Sequence, residues 1–226
     1  MAKTYAIAID GPAGAGKSTI AKRLAKELGF QYVDTGALYR TVAYFLDLLG
    51  VSPKDVDGVE RYIDELNVEI QYDEEGAQHM IMNGMDVSGD IRTQDISQKA
   101  SLVSAHAVVR EALLDMQRNV AKNYNVIMDG RDIGTVVLPD ADVKIFLTAS
   151  AEVRAKRRTD ELIAKGQTAV FETVLKEIEQ RDYQDTHRPI APLKMAKDSV
   201  KLDTSDLDID GVVSAMREII GKKISL

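Results

Sequence analysis

The sequence predicts an α/β fold built on a parallel sheet of five strands. Short apolar, β-branched runs alternate along the chain with segments of helical periodicity. With 226 residues and 45% hydrophobic side chains, the chain has enough apolar content for the core of one globular domain. Residues 67–89 interrupt this order with a period of two, so a small antiparallel insert is expected there.

The first strand is predicted over Tyr5–Ile9, as a run buried on both faces. A helix starts at Lys17 and ends at the glycine cap Gly29. A second strand covers Phe30–Asp34, and Thr35 is placed to cap a second helix. The apolar stripe of that helix consists of Leu38, Val42, Phe45 and Leu49.

The insert is predicted as a hairpin or small sheet. Residues Asn67–Tyr72 alternate, Asp73–Gly76 supply turn residues, and His79–Met82 run on. Helical periodicity then returns over residues 96–103 and 109–120. Three further strands bring the count to five: Asn125–Asp129, Val143–Thr148 and Ser199–Leu202.

Two segments separate the fourth and fifth strands. Ala151–Gly166 is rich in basic residues, and a long helix covers Phe171–Arg188. Pro189 limits that helix, because the residue before a proline is biased away from the helical region.

Composition excludes several classes of protein. The formal net charge is −7, so no global basic field exists to bind a nucleic acid. The chain has no cysteine, which excludes disulfides and thiolate chemistry and suits a reducing cytoplasm. The apolar run near the amino terminus is too short for a signal peptide or a membrane span. We therefore expect a soluble cytoplasmic protein.

The strongest motif is Gly11–Ser18, which fits the P-loop pattern G-x-x-x-x-G-K-[ST] between a predicted strand and a predicted helix. Its glycines let successive N–H groups surround phosphate oxygens at a helix N-terminus. Lys17 is then expected to reach the β- and γ-phosphates, and the Ser18 hydroxyl to coordinate Mg²⁺. A glycine-rich turn without a ligand is the alternative.

The motif indicates a nucleoside triphosphate but not the fate of its phosphate. A switch GTPase would need an Asn-Lys-x-Asp segment after a later strand, and the sequence has none. It has arginines instead, which suit the positioning of two phosphate-bearing substrates, although any one arginine is more often a solvated surface residue. These are Arg40, Arg92, Arg110, Arg131, Arg154, Arg157, Arg158, Arg181 and Arg188.

Two further groups each allow two interpretations. One helical face carries Arg181, Asp185 and Arg188. These residues would either bind a substrate or form an intrahelical ion-pair ladder. Asp129 ends a buried strand, where it would hold magnesium through water or serve as a turn aspartate before glycine.

Taken together, these residues resemble the bacterial cytidylate kinases over nearly the whole chain. The matching segments are Ile9–Thr19, Asp34–Arg40, Val87–Thr93, Val109–Leu114, Asp129–Asp132, Gly134–Val137 and Gln180–Asp182, with Arg188.

The resemblance implies a three-layer P-loop kinase fold in one domain, residues 1–226. Its core would comprise about 1–34, 95–150 and 171–226. The region that binds the nucleoside monophosphate would cover about 35–94, with the insert at about 67–89, and a lid would cover about 151–170. The implied reaction transfers the γ-phosphate of ATP to CMP or dCMP with Mg²⁺, in a monomer that acts on small molecules and not on nucleic acids or membranes.

The resemblance also implies residue roles. The donor loop would comprise Gly11, Pro12, Ala13, Gly14, Ala15, Gly16, Lys17, Ser18 and Thr19. The acceptor phosphate would bind Arg40, Arg131 and Arg188. The cytosine ring would contact Ser101, Arg110 and Asp132. The sugar would contact Tyr39, Arg181 and Asp185. Thr35 joins the acceptor site at a position where some relatives carry serine. Arg154, Arg157 and Arg158 would close on ATP, and Asp129 would assist with the metal. The catalytic charge would come from Lys17, Arg131, Arg154, Arg158 and Arg188.

These base contacts make chemical sense. The exocyclic amine of cytosine is a donor that suits the Asp132 carboxylate, whereas uracil presents a carbonyl there and should be disfavoured. Three alternatives stay open: Thr19 in place of Ser18 at the metal, a kinase for UMP or AMP, and a P-loop switch without an acceptor.

Overall fold

The centre of the molecule is a parallel sheet with helices on both faces. A computed structural model describes residues 3–224, so the extreme ends of the predicted core segments, residues 1–2 and 225–226, lie outside the described residues. The strands are β1 (Ala6–Asp10), β2 (Gln31–Asp34), β3 (Val68–Tyr72), β4 (Gln78–Met82), β5 (Met85–Asp86), β6 (Val126–Gly130), β7 (Val143–Thr148) and β8 (Val200–Asp203). The helices are α1 (Lys17–Leu28), α2 (Thr35–Leu48), α3 (Val56–Tyr62), α4 (Gln94–Val103), α5 (Ala107–Asn123), α6 (Ala151–Ala164), α7 (Phe171–His187) and α8 (Ile209–Gly221).

The large sheet has the strand order β2-β6-β1-β7-β8, and every neighbouring pair is parallel. The carboxyl ends of all five strands therefore meet at one edge. The chain leaves β1 toward β2 on one side and later adds β7 on the other. Ligands of such sheets bind where the strand order reverses in this way. The prediction of a five-stranded parallel sheet is confirmed.

The two faces of the sheet pack against different helices. On one face, Ile7 and Ile9 of β1 lie in a core with residues of α1 and α8. On the other face, Ala8 of β1 packs with Met128 of β6 and with residues near α5. The alternation along β1 follows from the period of two in a strand. The result is the three-layer arrangement that the sequence predicts.

The insert is a separate antiparallel sheet with the order β3-β4-β5. Met80 and Met82 of β4 are buried in one core with α2 and α4. Asn83 and Gly84 form the turn between β4 and β5 with φ values of 48° and 82°. Such an Asn-Gly turn is typical of a two-residue hairpin. The third strand is only two residues long, which is too short to give a periodic signal.

Several predicted boundaries at β1, β2 and α2 are wrong. Asp34, not Thr35, caps α2: its Oδ1 accepts from the N–H of Ala37 at 3.0 Å. Thr35 is the first helical residue, and its hydroxyl donates to the Asp129 carbonyl at 2.7 Å. Leu49 follows the end of the helix and is 45% exposed, whereas Leu46 is buried in its place. Tyr5 and Phe30 lie just before β1 and β2.

Gly11 is required by the close approach of two backbone segments. A Cβ at this position would lie 1.9 Å from the Leu147 carbonyl oxygen of β7, and φ is 152°. Only a residue without a side chain fits this position after β1. The start of the P-loop is thereby fixed against the neighbouring strand.

Candidate active site

The glycine-rich loop connects β1 to α1 at the carboxyl edge of the sheet. Gly14 and Gly16 have φ values of 74° and 86°, in the left-handed region that glycine adopts readily. Gly16 is the N-cap of α1 and offers no side chain to the first-turn N–H groups. Those groups and the positive end of the helix dipole remain for an anion.

Lys17 lies inside the loop and is 5% exposed. Its Nζ donates to the Pro12 carbonyl at 2.7 Å, so the ammonium is held at the centre of the loop. Burial, followed by the nearby Arg131 guanidinium, lowers the pKa of Lys17 to about 7. A bound polyphosphate would stabilise the charged form of this lysine.

A cavity of about 760 Å³ opens beside the loop. Most of the predicted site residues line it; Gly11, Pro12 and Arg110 do not line it themselves and lie beside residues that do. The predicted residues in the wall are Ala13, Gly14, Ala15, Gly16, Lys17, Ser18, Thr19, Thr35, Tyr39, Arg40, Ser101, Asp129, Arg131, Asp132, Arg154, Arg157, Arg158, Arg181, Asp185 and Arg188. Folding thus brings six distant segments of the chain to one cleft.

Asp129, at the carboxyl end of β6, contacts the P-loop. Its Oδ2 accepts from the Ser18 hydroxyl at 2.9 Å, and its Oδ1 accepts from the Tyr32 hydroxyl at 2.7 Å. Burial, together with the Asp34 carboxylate, raises the pKa of Asp129. A hydroxyl and a carboxylate side by side are hard oxygen donors, so these residues fit a magnesium ion. Ser18, not Thr19, makes this contact.

Asp132 follows β6, and its carboxylate accepts hydrogen bonds from two arginines. Its Oδ2 accepts from Arg110, and its Oδ1 accepts from Arg188 Nη2 at 3.0 Å. Arg188 Nη1 also donates to the Ser104 hydroxyl at 3.1 Å. Burial raises the pKa of Asp132, although both guanidinium groups oppose the shift. Ser101 lies in the same wall, where its carbonyl accepts from the Ser104 hydroxyl at 2.8 Å.

The shared face of α7 is not held together by an ion-pair ladder. The Asp185 Oδ2 accepts from Arg131 Nε at 2.7 Å, and Arg131 lies in the loop after β6. Among the described residues, the buried Nε of Arg181 has no hydrogen-bond partner. Burial and the charge of Arg131 lower the pKa of Arg181 to about 10. An unsatisfied buried donor that lines the cavity favours the interpretation as a ligand-binding face.

The three arginines of α6 have different surroundings. Arg154 is 4% exposed, donates to the Ala13 carbonyl at 3.0 Å and pairs through both Nη atoms with Asp182. Arg157 donates to the Thr204 carbonyl at 2.6 Å. Among the residues that the structure describes, Arg158 pairs with Glu161 alone, one turn along its own helix and exposed to solvent. Two of the three predicted lid arginines are therefore fixed to the core of the molecule, and Arg158 is not.

Arg40 and Tyr39 of α2 also line the cavity. Arg40 Nη2 donates to the Asp34 Oδ2 at 2.9 Å, which holds the guanidinium against the start of α2. The Arg110 guanidinium lies over the ring of Tyr39, 5.5 Å from its centroid. Tyr39 thereby packs beside the Asp132 group.

Sequence reasoning missed four polar residues of this site. Asp10 accepts from the N–H groups of Ile133 and Gly134, both at 2.8 Å, and so holds the turn that follows Asp132. Asp34 orients Arg40, Ser104 orients Arg188, and Asp182 orients Arg154. Asp10, Asp34 and Asp182 lie inside the segments that match the cytidylate kinases, but the sequence assigned them no role. Ser104 lies outside those segments, three residues after Ser101.

These observations define the class of protein. A P-loop stands at the carboxyl edge of a five-stranded parallel sheet, with an acidic strand end beside it and arginines around one cleft. This is the arrangement of a P-loop kinase. None of the helices described between residues 3 and 224 combines the length and apolar content needed to cross a bilayer.

The family follows from comparison with known proteins. The family model for cytidylate kinase matches residues 7–222, so the chain belongs to the cytidylate kinase family. The cytidylate kinase of Carboxydothermus hydrogenoformans is 49% identical over 217 residues, covering 96% of this chain and 97% of that protein. The cytidylate kinase of Ligilactobacillus salivarius is 49% identical over 223 residues, covering 99% of each chain. The predicted resemblance is confirmed.

A solved structure agrees on the fold. An uncharacterized protein from Eubacterium ventriosum superposes with a TM-score of 0.54 at 15% identity, covering 97% of this chain and 99% of that one. At this identity the likeness concerns the fold alone.

Proposed function

We propose that this kinase transfers the γ-phosphate of ATP to CMP or dCMP, giving ADP and the cytidine diphosphate. The observation that carries the proposal is the buried Asp132 carboxylate, held by Arg110 and Arg188 in the wall of the cavity that also contains the P-loop. A carboxylate and a guanidinium side by side match the donor and acceptor edge of cytosine. They do not match uracil.

The donor side would hold ATP by its phosphates. The N–H groups of the loop after β1 and the first turn of α1 would surround them, and Lys17 would neutralise charge on the β- and γ-phosphates. Magnesium, when bound between ATP and the protein, would neutralise further charge on the same phosphates. Ser18 and Asp129 are the residues that we assign to hold it, Ser18 directly and Asp129 through water.

The acceptor side would hold a monophosphate. We assign its phosphate to Arg40, Arg131 and Arg188, because each guanidinium is a planar fork that suits two phosphate oxygens. Tyr39, Arg181 and Asp185 would contact the sugar, and Ser101 the base. Thr35, whose hydroxyl is bonded to the Asp129 carbonyl, would shape the floor between the two nucleotides.

No general base is needed for this transfer. The acceptor phosphate oxygen is already ionised near pH 7, so the protein has only to align the two phosphates and stabilise charge. Lys17 and the arginines Arg131, Arg154, Arg158 and Arg188 would supply that charge. Arg157 would help to hold the donor nucleotide. Region 35–94 would serve as the acceptor-binding part and region 151–170 as the lid of a single-domain enzyme.

The proposal also covers the cellular location and the oligomeric state of the enzyme. The net charge of −7 and the absence of cysteine support a cytoplasmic monomer that acts on free nucleotides. Size-exclusion chromatography with light scattering measures the oligomeric state directly.

The deciding experiment measures ADP release from Mg-ATP with CMP, dCMP, UMP, AMP, GMP or no acceptor in parallel. We expect turnover with CMP and dCMP only. Turnover with UMP or AMP at a similar kcat/KM would overturn the roles of Asp132 and Arg110. Release of ADP without any acceptor would indicate a nucleotide-dependent switch or ATPase instead.

A further inference from the structure

The insert contacts the edge of the main sheet through polar side chains, among them Gln78. Strand β2 is the edge strand, so the backbone groups of Tyr32 and Asp34 that face away from β6 have no neighbouring strand. The Gln78 Oε1 accepts from the Asp34 N–H at 2.7 Å, and its Nε2 donates to the Asp34 carbonyl at 3.3 Å. The primary amide of Gln78 thus pairs with Asp34 as the backbone of a neighbouring strand would.

Neighbouring atoms fix this arrangement. The Gln78 Nε2 also lies 3.1 Å from the Met80 sulfur, which accepts its second hydrogen. The Tyr72 hydroxyl donates to the Tyr32 carbonyl at 3.1 Å. Both contacts come from the hairpin of β3 and β4, so the hairpin covers the polar edge of β2 at two points.

Asp34 carries the effect into the active site. Its backbone is bonded to Gln78, its Oδ1 caps α2, and its Oδ2 accepts from Arg40 at 2.9 Å. Arg40 is half-buried, and its Nε is buried without a partner among residues 3–224. The Asp34 carboxylate is therefore what holds the Arg40 guanidinium in the cavity wall.

We propose that Gln78 is a positioning residue for the acceptor: through Asp34 it sets the place of Arg40, and so couples the insert to recognition of the acceptor phosphate. This inference rests on the proposed function, because Arg40 is assigned to that phosphate there. It gives the insert a role in the reaction beyond packing against α2. Loss of the amide would allow Asp34 and Arg40 to shift together.

The first test is Gln78→Met, which keeps the length of the side chain and removes both hydrogen bonds. The KM for CMP should rise about five- to tenfold, as expected for one or two lost hydrogen bonds. The KM for ATP should stay within about twofold, because none of the hydrogen bonds that Gln78 makes within residues 3–224 reaches a residue of the P-loop. The matched control is Gln71→Met, on the exposed face of neighbouring strand β3, and it should leave both constants unchanged.

A double-mutant cycle tests the route through Arg40. Adding Gln78→Met to Arg40→Met should change the dissociation constant of CMP, measured by calorimetry without ATP, by less than about twofold. Gln78→Glu provides a second variant, because its carboxylate still accepts from the Asp34 N–H but cannot donate to the carbonyl. The Gln78→Glu variant should also bind CMP more weakly than the wild-type protein does.

The outcomes separate the two proposals. Equal effects of Gln78→Met on ATP and CMP, or full additivity with Arg40→Met, would overturn the positioning role while leaving the kinase reaction intact. Absence of CMP-dependent turnover in the wild-type protein would instead overturn the proposed function. A lower melting temperature with an unchanged CMP constant would assign Gln78 to stability alone.

Discussion

In the proposed function, Asp132 would carry the specificity of the site in one side chain. Both of its oxygens accept from arginines, and the residue is 4% exposed. A buried polar group discriminates strongly, because a wrong partner leaves it unpaired where water cannot replace the lost bond. The same burial makes the group sensitive to any loss of charge.

Asp132→Asn should lower kcat/KM for CMP by about 100-fold, because a carboxylate that pairs with the cytosine amine is lost. The new amide can donate to the uracil carbonyl, so the preference for CMP over UMP should fall at least about tenfold. Steady-state kinetics with both acceptors measure this. Asp206→Asn, at an exposed position, is the control. An unchanged CMP:UMP ratio would exclude Asp132 from base recognition.

Asp10 makes stability depend on pH. Burial raises its pKa to about 6, although the N–H groups of Gly134 and Ile133 oppose the shift. Between its ordinary pKa and this value the folded state binds more protons than the unfolded state, so this group's contribution to stability falls as pH rises from about 4 to 6.

Asp10→Asn removes that titration. The difference in unfolding free energy between the wild-type protein and the variant should therefore decrease by about 2 kcal/mol from pH 4.5 to 7. Urea unfolding at the two pH values measures this difference. If it were the same at both, Asp10 would not titrate in this range.

At the scale of elements, the sequence predicted what local pattern determines. The apolar runs gave the five strands of the main sheet, and the P-loop motif placed the start of α1 correctly. The cap of α2 was wrong, because Asp34 and Thr35 are adjacent and both suit an N-cap. Which of the two residues caps the helix depends on Asp129, 94 residues away, because its backbone carbonyl accepts a hydrogen bond from the Thr35 hydroxyl.

The orienting residues show the same limit. Ser104 is three residues after Ser101, and Asp182 is next to Arg181, so both lie close to predicted site residues. The local sequence does not indicate that Ser104 contacts Arg188, which follows α7, or that Asp182 contacts Arg154 of α6. Contacts of this kind depend on how the helices pack against one another, and the local pattern of one sequence does not predict that packing.

Helix α6 carries two arginines in different environments, and their proposed roles can be tested separately. Arg154 is buried and paired with Asp182, whereas the ion-pair partner of Arg158 within residues 3–224 is the exposed Glu161 on its own helix. Arg154→Ala should lower both turnover and the melting temperature, because the Asp182 carboxylate and the Ala13 carbonyl lose their donor. Arg158→Ala should lower kcat by about 10- to 100-fold at an unchanged melting temperature.

Lys156→Ala is the control on the same helix, because Lys156 is exposed and pairs only with Asp160. It should change neither quantity. A melting temperature that falls equally for Arg154→Ala and Arg158→Ala would mean that both arginines are structural. An unchanged kcat for Arg158→Ala would remove this residue from the transfer step.

At the scale of the whole molecule, the fold places on one cavity the groups that we assign to the two phosphates. The groups assigned to the donor come from the loop after β1, and those assigned to the acceptor come from α2, from α7 and from the loops after β6 and α7. In the strand order β2-β6-β1-β7-β8, β1 and β6 are parallel neighbours, so their carboxyl ends lie side by side. Sequence periodicity predicted the strands but not this order, because the order depends on contacts between residues more than 100 positions apart.

The separation of donor and acceptor groups predicts how fast ATP is hydrolysed when no acceptor is bound. If the acceptor phosphate completes the set of charges that the arginines neutralise, ATP alone leaves the transfer site incomplete. ATP hydrolysis without an acceptor should then be below about 1% of the kinase rate, since phosphoryl transfer depends on positioning and on stabilisation of charge that the incomplete site does not supply. Cytidine, which has the base and sugar of CMP but no phosphate, should not raise this rate. Phosphate release measured with ATP alone, with ATP and cytidine, and with ATP and CMP tests the prediction, and hydrolysis comparable to transfer would mean that the cleft does not need the acceptor phosphate to activate ATP.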